Sequence, residues 1–178
     1  MNIATSATRT EFPLSPRKII KKTITGSIVW IILLGVFLSF GGSMVAVIVM
    51  TMDPTVSSLI GTFAVIIVGF FACIIALTYL YQRWYFAVYF YDLTSDYIII
   101  RKGPITPREI TIPYERIQDV YVDQDIFDRL FGLYDVHLSS ATMSSGMQAH
   151  IDGVEKAAAD GLRAKLLETV SRKIGRKS

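Results

Sequence analysis

The sequence predicts an α+β protein: a two-helix transmembrane hairpin, then a small domain of antiparallel strands closed by a C-terminal amphipathic helix. Three observations predict it. Two long stretches, Thr23–Met52 and Thr55–Gln82, hold no charged residue. Beyond them, β-branched and aromatic runs alternate with turn residues. Near the end, apolar residues recur four apart at Val154, Ala158, Leu162, Leu166, Val170 and Ile174, with Leu167 thickening the stripe.

Each apolar stretch would be about 42–45 Å long as a helix, against roughly 30 Å of hydrocarbon. A helix satisfies its own backbone groups where no water is available. A cleaved signal peptide is the alternative for the first stretch, but its apolar run is about twice too long for one. A buried helical pair in a soluble protein is the other, and charge-free runs of this length argue against it. Asp53-Pro54 interrupts the two runs, and so short a connection predicts helices side by side and antiparallel. The expected organisation is a flexible basic tail (1–22), the hairpin (23–82, helices at 25–51 and 55–81), a cytosolic domain (83–175) and a short tail (176–178).

Orientation follows from the basic residues. Arg17, Lys18, Lys21 and Lys22 precede the first span, Arg83 follows the second, and the loop between carries only Asp53. The excess of Lys and Arg on one side predicts a multi-pass protein of the cell membrane with both termini in the cytosol. Trp30, and Tyr79, Tyr81, Trp84 and Tyr85, fall where amphipathic rings favour the membrane interface. Arg17, Lys18, Lys21, Lys22, Arg83 and Trp84 are therefore the expected inner-leaflet contacts, with Arg172, Lys173, Arg176 and Lys177 facing the same anionic surface. Gly35, Ser39 and Ser43 form a stripe of small residues, and Gly69 lies among others on the second helix. Such residues let helices approach closely in lipid, either within the hairpin or against another subunit.

Composition narrows the function. The chain has 178 residues, a net charge of +3 and a mean hydropathy of +0.45. Its basic residues cluster at the ends without interleaved aromatics, so no nucleic-acid partner is expected. One cysteine, Cys73, excludes an internal disulfide framework and a Cys-based zinc site. The spans carry no ionisable residue, and two helices cannot enclose a pathway, which weakens transport.

In the domain, Tyr85–Tyr91 and Tyr97–Arg101 read as a hairpin around Asp92–Asp96. Further strands are expected at Glu109–Ile112, Ile117–Val122, Val136–Ser140 and Gln148–Ile151. Asp125 to Gly132 reads as a short helical turn with Asp125 as N-cap and Gly132 as its stop. Asp152 is the expected N-cap of the last helix, with Glu155 as capping-box partner.

Chemical motifs are sparse. Asp123, Asp125 and Asp128 lack the glycine and distal Glu of an EF-hand loop and read as capping or solvated carboxylates. His137 and His150 lie on different strands and, with Asp135, suggest a metal or acid–base site lacking a third ligand; strand-face histidines are the plainer reading. Ser139, Ser140, Thr142, Ser144 and Ser145 crowd a polar loop without a nucleophile elbow, and there is no phosphate loop or dinucleotide fingerprint. No catalytic residue, metal or cofactor is expected.

Four segments carry a family likeness. Tyr91–Gly103 (Tyr-Asp-Leu-Thr-Ser-Asp-Tyr-Ile-Ile-Ile-Arg-Lys-Gly) resembles the opening of the bacterial pleckstrin-homology-like domain of the YdbS type. Ile110–Val120, with its Ile-Pro-Tyr-Glu-Arg-Ile core, and Asp125–Leu133 resemble its later signatures, and Ile151-Asp152-Gly153-Val154 fits its close. The resemblance covers Trp84 to Ile174, and two spans directly before the domain match the family's layout. It implies a PH-like fold, a bent, barrel-like antiparallel sheet with a helix plugging one end, and it implies no catalytic residues. It does not imply inositol phospholipid binding, because the first hairpin loop, Asp92–Asp96, is acidic where such domains are basic. The expected function is a membrane-anchored, non-catalytic interaction module, a scaffold or subunit of a membrane complex that binds a membrane protein or its own copies. The alternative is a lipid or small-ligand binder in envelope homeostasis or stress resistance. An enzyme subunit or transporter accessory is the weakest reading.

Overall fold

The computed structural model describes residues 6–51, 54–140 and 149–175. Met52 and Asp53 of the expected connection, the loop residues Thr142, Ser144 and Ser145, Gln148, and the basic pair Arg176 and Lys177 lie outside the described residues. The chain divides into two units, 22–82 and the remainder, 1–21 with 83–178.

The first unit is helical. Helix α2 (Arg17–Val36) widens into one π-helical turn at Phe37–Gly41 and continues as α3 (Gly42–Thr51); α4 spans Pro54–Val88. Two segments, Arg17–Val45 and Gly61–Val88, are long and apolar enough to cross a membrane. The helices meet at Gly26, where an added Cβ would lie 3.5 Å from Thr78, and at Trp30, whose ring centroid is 6.2 Å from that of Phe71.

The second unit holds helix α1 (Ala7–Glu11), six strands and two more helices. Strands β1 (Phe90–Leu93), β2 (Tyr97–Lys102) and β3 (Arg108–Pro113) form one antiparallel sheet in that order. After a 3-10 turn at Tyr114–Arg116, β4 (Ile117–Asp123), β5 (Leu133–Ser140) and β6 (His150–Glu155) form a second. Helix α5 (Ile126–Phe131) joins β4 to β5, and α6 (Lys156–Gly175) ends the fold. Among the described residues the strands form two three-stranded sheets and do not close into a barrel, so the barrel-like expectation is not met there. One core nevertheless serves both: Tyr91, Ile98, Ile100 and Ile112 from the first sheet meet Val120, Val136, Leu138 and Ile151 from the second, and α6 adds Ala159, Leu162 and Leu166.

β-Branched and aromatic runs bounded by turn residues located β2, β4 and β5, and polar–apolar alternation located β3. Several boundaries differ, and two of the differences have a local cause. Helix α4 runs through Tyr85–Val88, expected as a strand, because nothing between Gln82 and Val88 breaks it. Its C-terminal carbonyls then find a cation, for Arg9 donates to the Phe86 carbonyl at 3.2 Å. At the other end, Asp152 and Glu155 belong to β6 and cap nothing; α6 starts at Lys156. The reason is local, since Gly153 adopts φ +79°, which no helix accommodates.

The segment before α2, expected as a flexible tail, is packed on the domain from Ser6 onward. Ser6 caps α1 and donates to the Tyr91 carbonyl at 2.6 Å, Thr8 Oγ1 accepts the Leu93 N–H at 3.1 Å, and Leu14 bridges to Val154. Its apolar residue Leu14 is buried in the common core.

Leu166 is fully buried whereas its neighbour Leu167 is 41% exposed. Leu166→Ala is expected to lower stability by about 2–5 kcal/mol, and Leu167→Ala by much less. Denaturant unfolding of the detergent-solubilised chain, followed by tyrosine fluorescence, checks the contrast.

Candidate functional site

Lys18 and Lys21 are three apart at the start of α2 and so share one helix face. Both are buried, with 3% and 4% of their surface exposed. The Lys18 ammonium lies 2.7 Å from Asp152 Oδ1, donates to the Asp152 carbonyl at 3.0 Å, and stands 3.9 Å from the centroid of the buried Tyr89 ring. Its aliphatic stem crosses Gly153, where a Cβ would come within 2.6 Å of Lys18 Cδ. Glycine at 153 thus serves both the positive φ and the crossing.

Lys21 reaches α5. Its ammonium lies 2.8 Å from Asp125 Oδ2 and 2.5 Å from Asp128 Oδ1. The same carboxylates cap α5: Asp125 Oδ1 accepts the Asp128 N–H at 2.6 Å, Asp128 Oδ2 accepts the Asp125 N–H, and Gly132 ends the helix at φ +66°. One oxygen of each carboxylate caps and the other holds the lysine. The capping roles read from the sequence hold, but Asp128 is wholly buried and not solvated.

Asp135 completes the cluster. Its Oδ1 accepts the Gly153 N–H at 2.8 Å. Four carboxylates, Asp125, Asp128, Asp135 and Asp152, therefore face two ammonium groups. The excess negative charge falls on Asp135: burial first, then Asp152 and Asp128, push its carboxyl up to about 6. Asp125 goes the other way despite some desolvation, held below the usual carboxylate range by its hydrogen bonds with Lys21 and the Asp128 N–H.

A second group of polar residues lies on the β4–β5–β6 sheet. His137 pairs with His150 across the strands, as the sequence suggested, with ring centroids 5.2 Å apart. On its other side Tyr121 stacks at 5.0 Å. A second carboxylate joins Asp135 here: Asp123, which the sequence grouped with Asp125 and Asp128 and not with the histidines, has its Oδ1 3.0 Å from His137 Nε2. Asp123, Asp135 and His137 bring one ligand atom each within 4.8 Å of one another and are where a divalent cation could be held. A cavity of about 570 Å³ lies elsewhere, between Phe12–Pro16 and Ala157–Ala158, flanked by Glu11 and Glu155.

The residues expected at the leaflet divide. Lys18 and Lys21 turn into the domain, a correction with a plain cause: charge-counting near a span ignores carboxylates that the fold brings to the same place. Arg17 and Arg83 are exposed, Lys22 is half-buried, and Trp84 is 51% exposed. Lys173 is ion-paired with Asp96 at 2.5 Å. Gly35 and Gly69 have open space where a side chain would project, while Ser39 and Ser43 are exposed and donate to their own helix's carbonyls.

Residues 29–170 match the family described as bacterial PH domain. No curated protein and no solved structure matches.

Removing one partner of a buried pair strands the other charge, so Lys18→Met is expected to cost about 3–5 kcal/mol. Lys18→Met combined with Asp152→Leu is expected to recover much of that loss, and the double-mutant cycle, read by denaturant unfolding, checks it. Asp135 predicts a pH dependence. Its folded value of about 6 lies above the ordinary 3.8, so between the two the native chain holds more protons than the unfolded one. Its contribution is most favourable below the ordinary value and is lost as pH rises through about 6. Asp135→Asn keeps an acceptor for the Gly153 N–H and removes the charge. The variant is expected to melt above the wild type at about pH 7 and to lose that advantage towards about pH 4, as thermal melts at several pH values will show.

Proposed function

Since the chain belongs to the bacterial PH domain family, we propose that it is a membrane-anchored, non-catalytic interaction module that holds a partner protein, or a second copy of itself, at the membrane. The observation that carries this reading is the state of the strand edges. The N-terminal segment covers two of them, at β1 through Ser6 and Thr8 and at β6 through Leu14 and Ser15. Strands β3 and β4 each pair with one neighbouring strand among the described residues. An open edge can accept an added strand from a partner.

The two long apolar helices support the anchoring part of the reading. The distribution of Lys and Arg around them supports a multi-pass protein of the cytoplasmic membrane with both termini in the cytosol. Anchoring raises the effective concentration of the domain for anything in the same bilayer. The cavity between Phe12–Pro16 and α6 favours a second reading, a lipid or small-ligand binder, because its volume falls in the range of about 300–1,000 Å³ usual for ligand sites.

A photo-crosslinking residue at Thr111 on β3 or Gln118 on β4, both exposed, tests the reading in intact membranes. A single discrete adduct with a membrane protein or a second copy is the expected outcome. No adduct from either edge, with lipid co-purifying stoichiometrically, would favour the ligand-binding reading.

A further inference from the structure

The two most exposed large hydrophobic side chains among the described residues are neither in α2 nor in α4. They are Ile126, 85% exposed, and Leu130, 76% exposed, on α5. Four residues apart, they share one face of the helix. Leaving both in water forgoes the stabilisation that burying an aliphatic side chain provides. Yet α5 is a built element, capped by Asp125 and Asp128 at one end and by Gly132 at the other. The fold spends two carboxylates and a left-handed glycine on displaying an apolar pair.

The same two carboxylates say where the display stands. Asp125 and Asp128 hold the ammonium of Lys21 at 2.8 and 2.5 Å. Lys21 directly precedes Lys22, and the charge-free stretch starts at Thr23. Through Lys21, the cap of α5 is tied to the point in the sequence where the charge-free stretch begins. Exposed cations accompany it. Arg129 lies between Ile126 and Leu130 in sequence, and Arg17 is close enough for its Nη1 to lie 3.7 Å from the Cβ position of Gly132. Apolar side chains flanked by arginines match the boundary between acyl chains and anionic headgroups.

We infer that α5 inserts its Ile126/Leu130 face into the inner-leaflet interface, a lipid contact separate from the two apolar helices. This rests on the membrane-anchored reading proposed above. Arg17 and Arg129 pair with anionic headgroups, while Ile126 and Leu130 sit about 5–10 Å into the headgroup–acyl boundary, as interfacial helices do. The occupant of the apolar pair is lipid, not a protein groove.

An environment-sensitive fluorophore and nitroxide-labelled lipids separate the possibilities in the full chain reconstituted into vesicles containing phosphatidylglycerol. The first label goes on the native Cys73, which is exposed within α4. The second goes on Leu130→Cys in a Cys73→Ala background, with Ile126→Cys as an independent repeat. Quenching at Cys73 by a lipid with its nitroxide deep in the acyl chain is expected from the anchoring. Its absence would overturn the anchored reading, and the inference with it. With Cys73 quenched, a blue-shifted label at 130 and 126, quenched by a lipid with a shallow nitroxide, is the expected result. A label there that stays water-like would overturn the inference and leave the anchoring intact. So would a blue-shifted label insensitive to nitroxide lipid, which would mean that a protein or a second copy covers the face.

Discussion

Two ammonium groups are buried against carboxylates, and much of the domain is arranged around them. Taking an ion out of water costs several kcal/mol unless an opposite charge and hydrogen bonds meet it. Lys18 finds Asp152 on β6, and Lys21 finds Asp125 and Asp128 at the cap of α5. The partners lie more than a hundred residues away in sequence, so the pairs form only when the start of α2 is seated in the folded domain. Gly153 shows the constraint at one atom, since any side chain there would meet the stem of Lys18.

The same segment manages the sheet edges. An exposed edge strand is a template for unwanted pairing. Residues from Ser6 to Ser15 lie along β1 and β6, using side-chain hydroxyls at the first and main-chain pairing at the second. Having covered these two edges, the chain passes directly into α2. One continuous stretch thus closes the domain and leads into the first apolar helix, so a change in how that stretch is held bears on the edges and on α5 alike.

Much of this fold was legible in the sequence, and the failures share a cause. Period-two alternation in Glu109–Ile112 reports local burial and gave β3, and the charge-free runs 23–52 and 55–82 gave two long apolar helices. Asp125 and Gly132 announced the ends of α5 because capping is decided within a few residues. The pairing of His137 with His150 followed from strand order. Lys18 and Lys21 were misplaced because a lysine beside a span looks the same whether it faces headgroups or aspartates, and the aspartates are remote in sequence. Asp152 was mistaken for a cap for the same reason: its partner is Lys18, and only the glycine after it hinted at a break. The N-terminal segment reads as polar and irregular, yet its hydroxyls and the buried Leu14 match groups on β1 and β6 that no local pattern reveals.

The central claim is that the segment leading into α2 is part of the domain, locked there by buried lysine–aspartate pairs. Amide hydrogen exchange on the full chain in lipid nanodiscs tests it most directly, at the Ser15 N–H, which donates to the Gly153 carbonyl at 2.9 Å. Protection at Ser15 comparable to that of β5, lost selectively in Lys18→Met, is the predicted result. Exchange at the rate of an unstructured peptide, while β5 remains protected, would contradict the account.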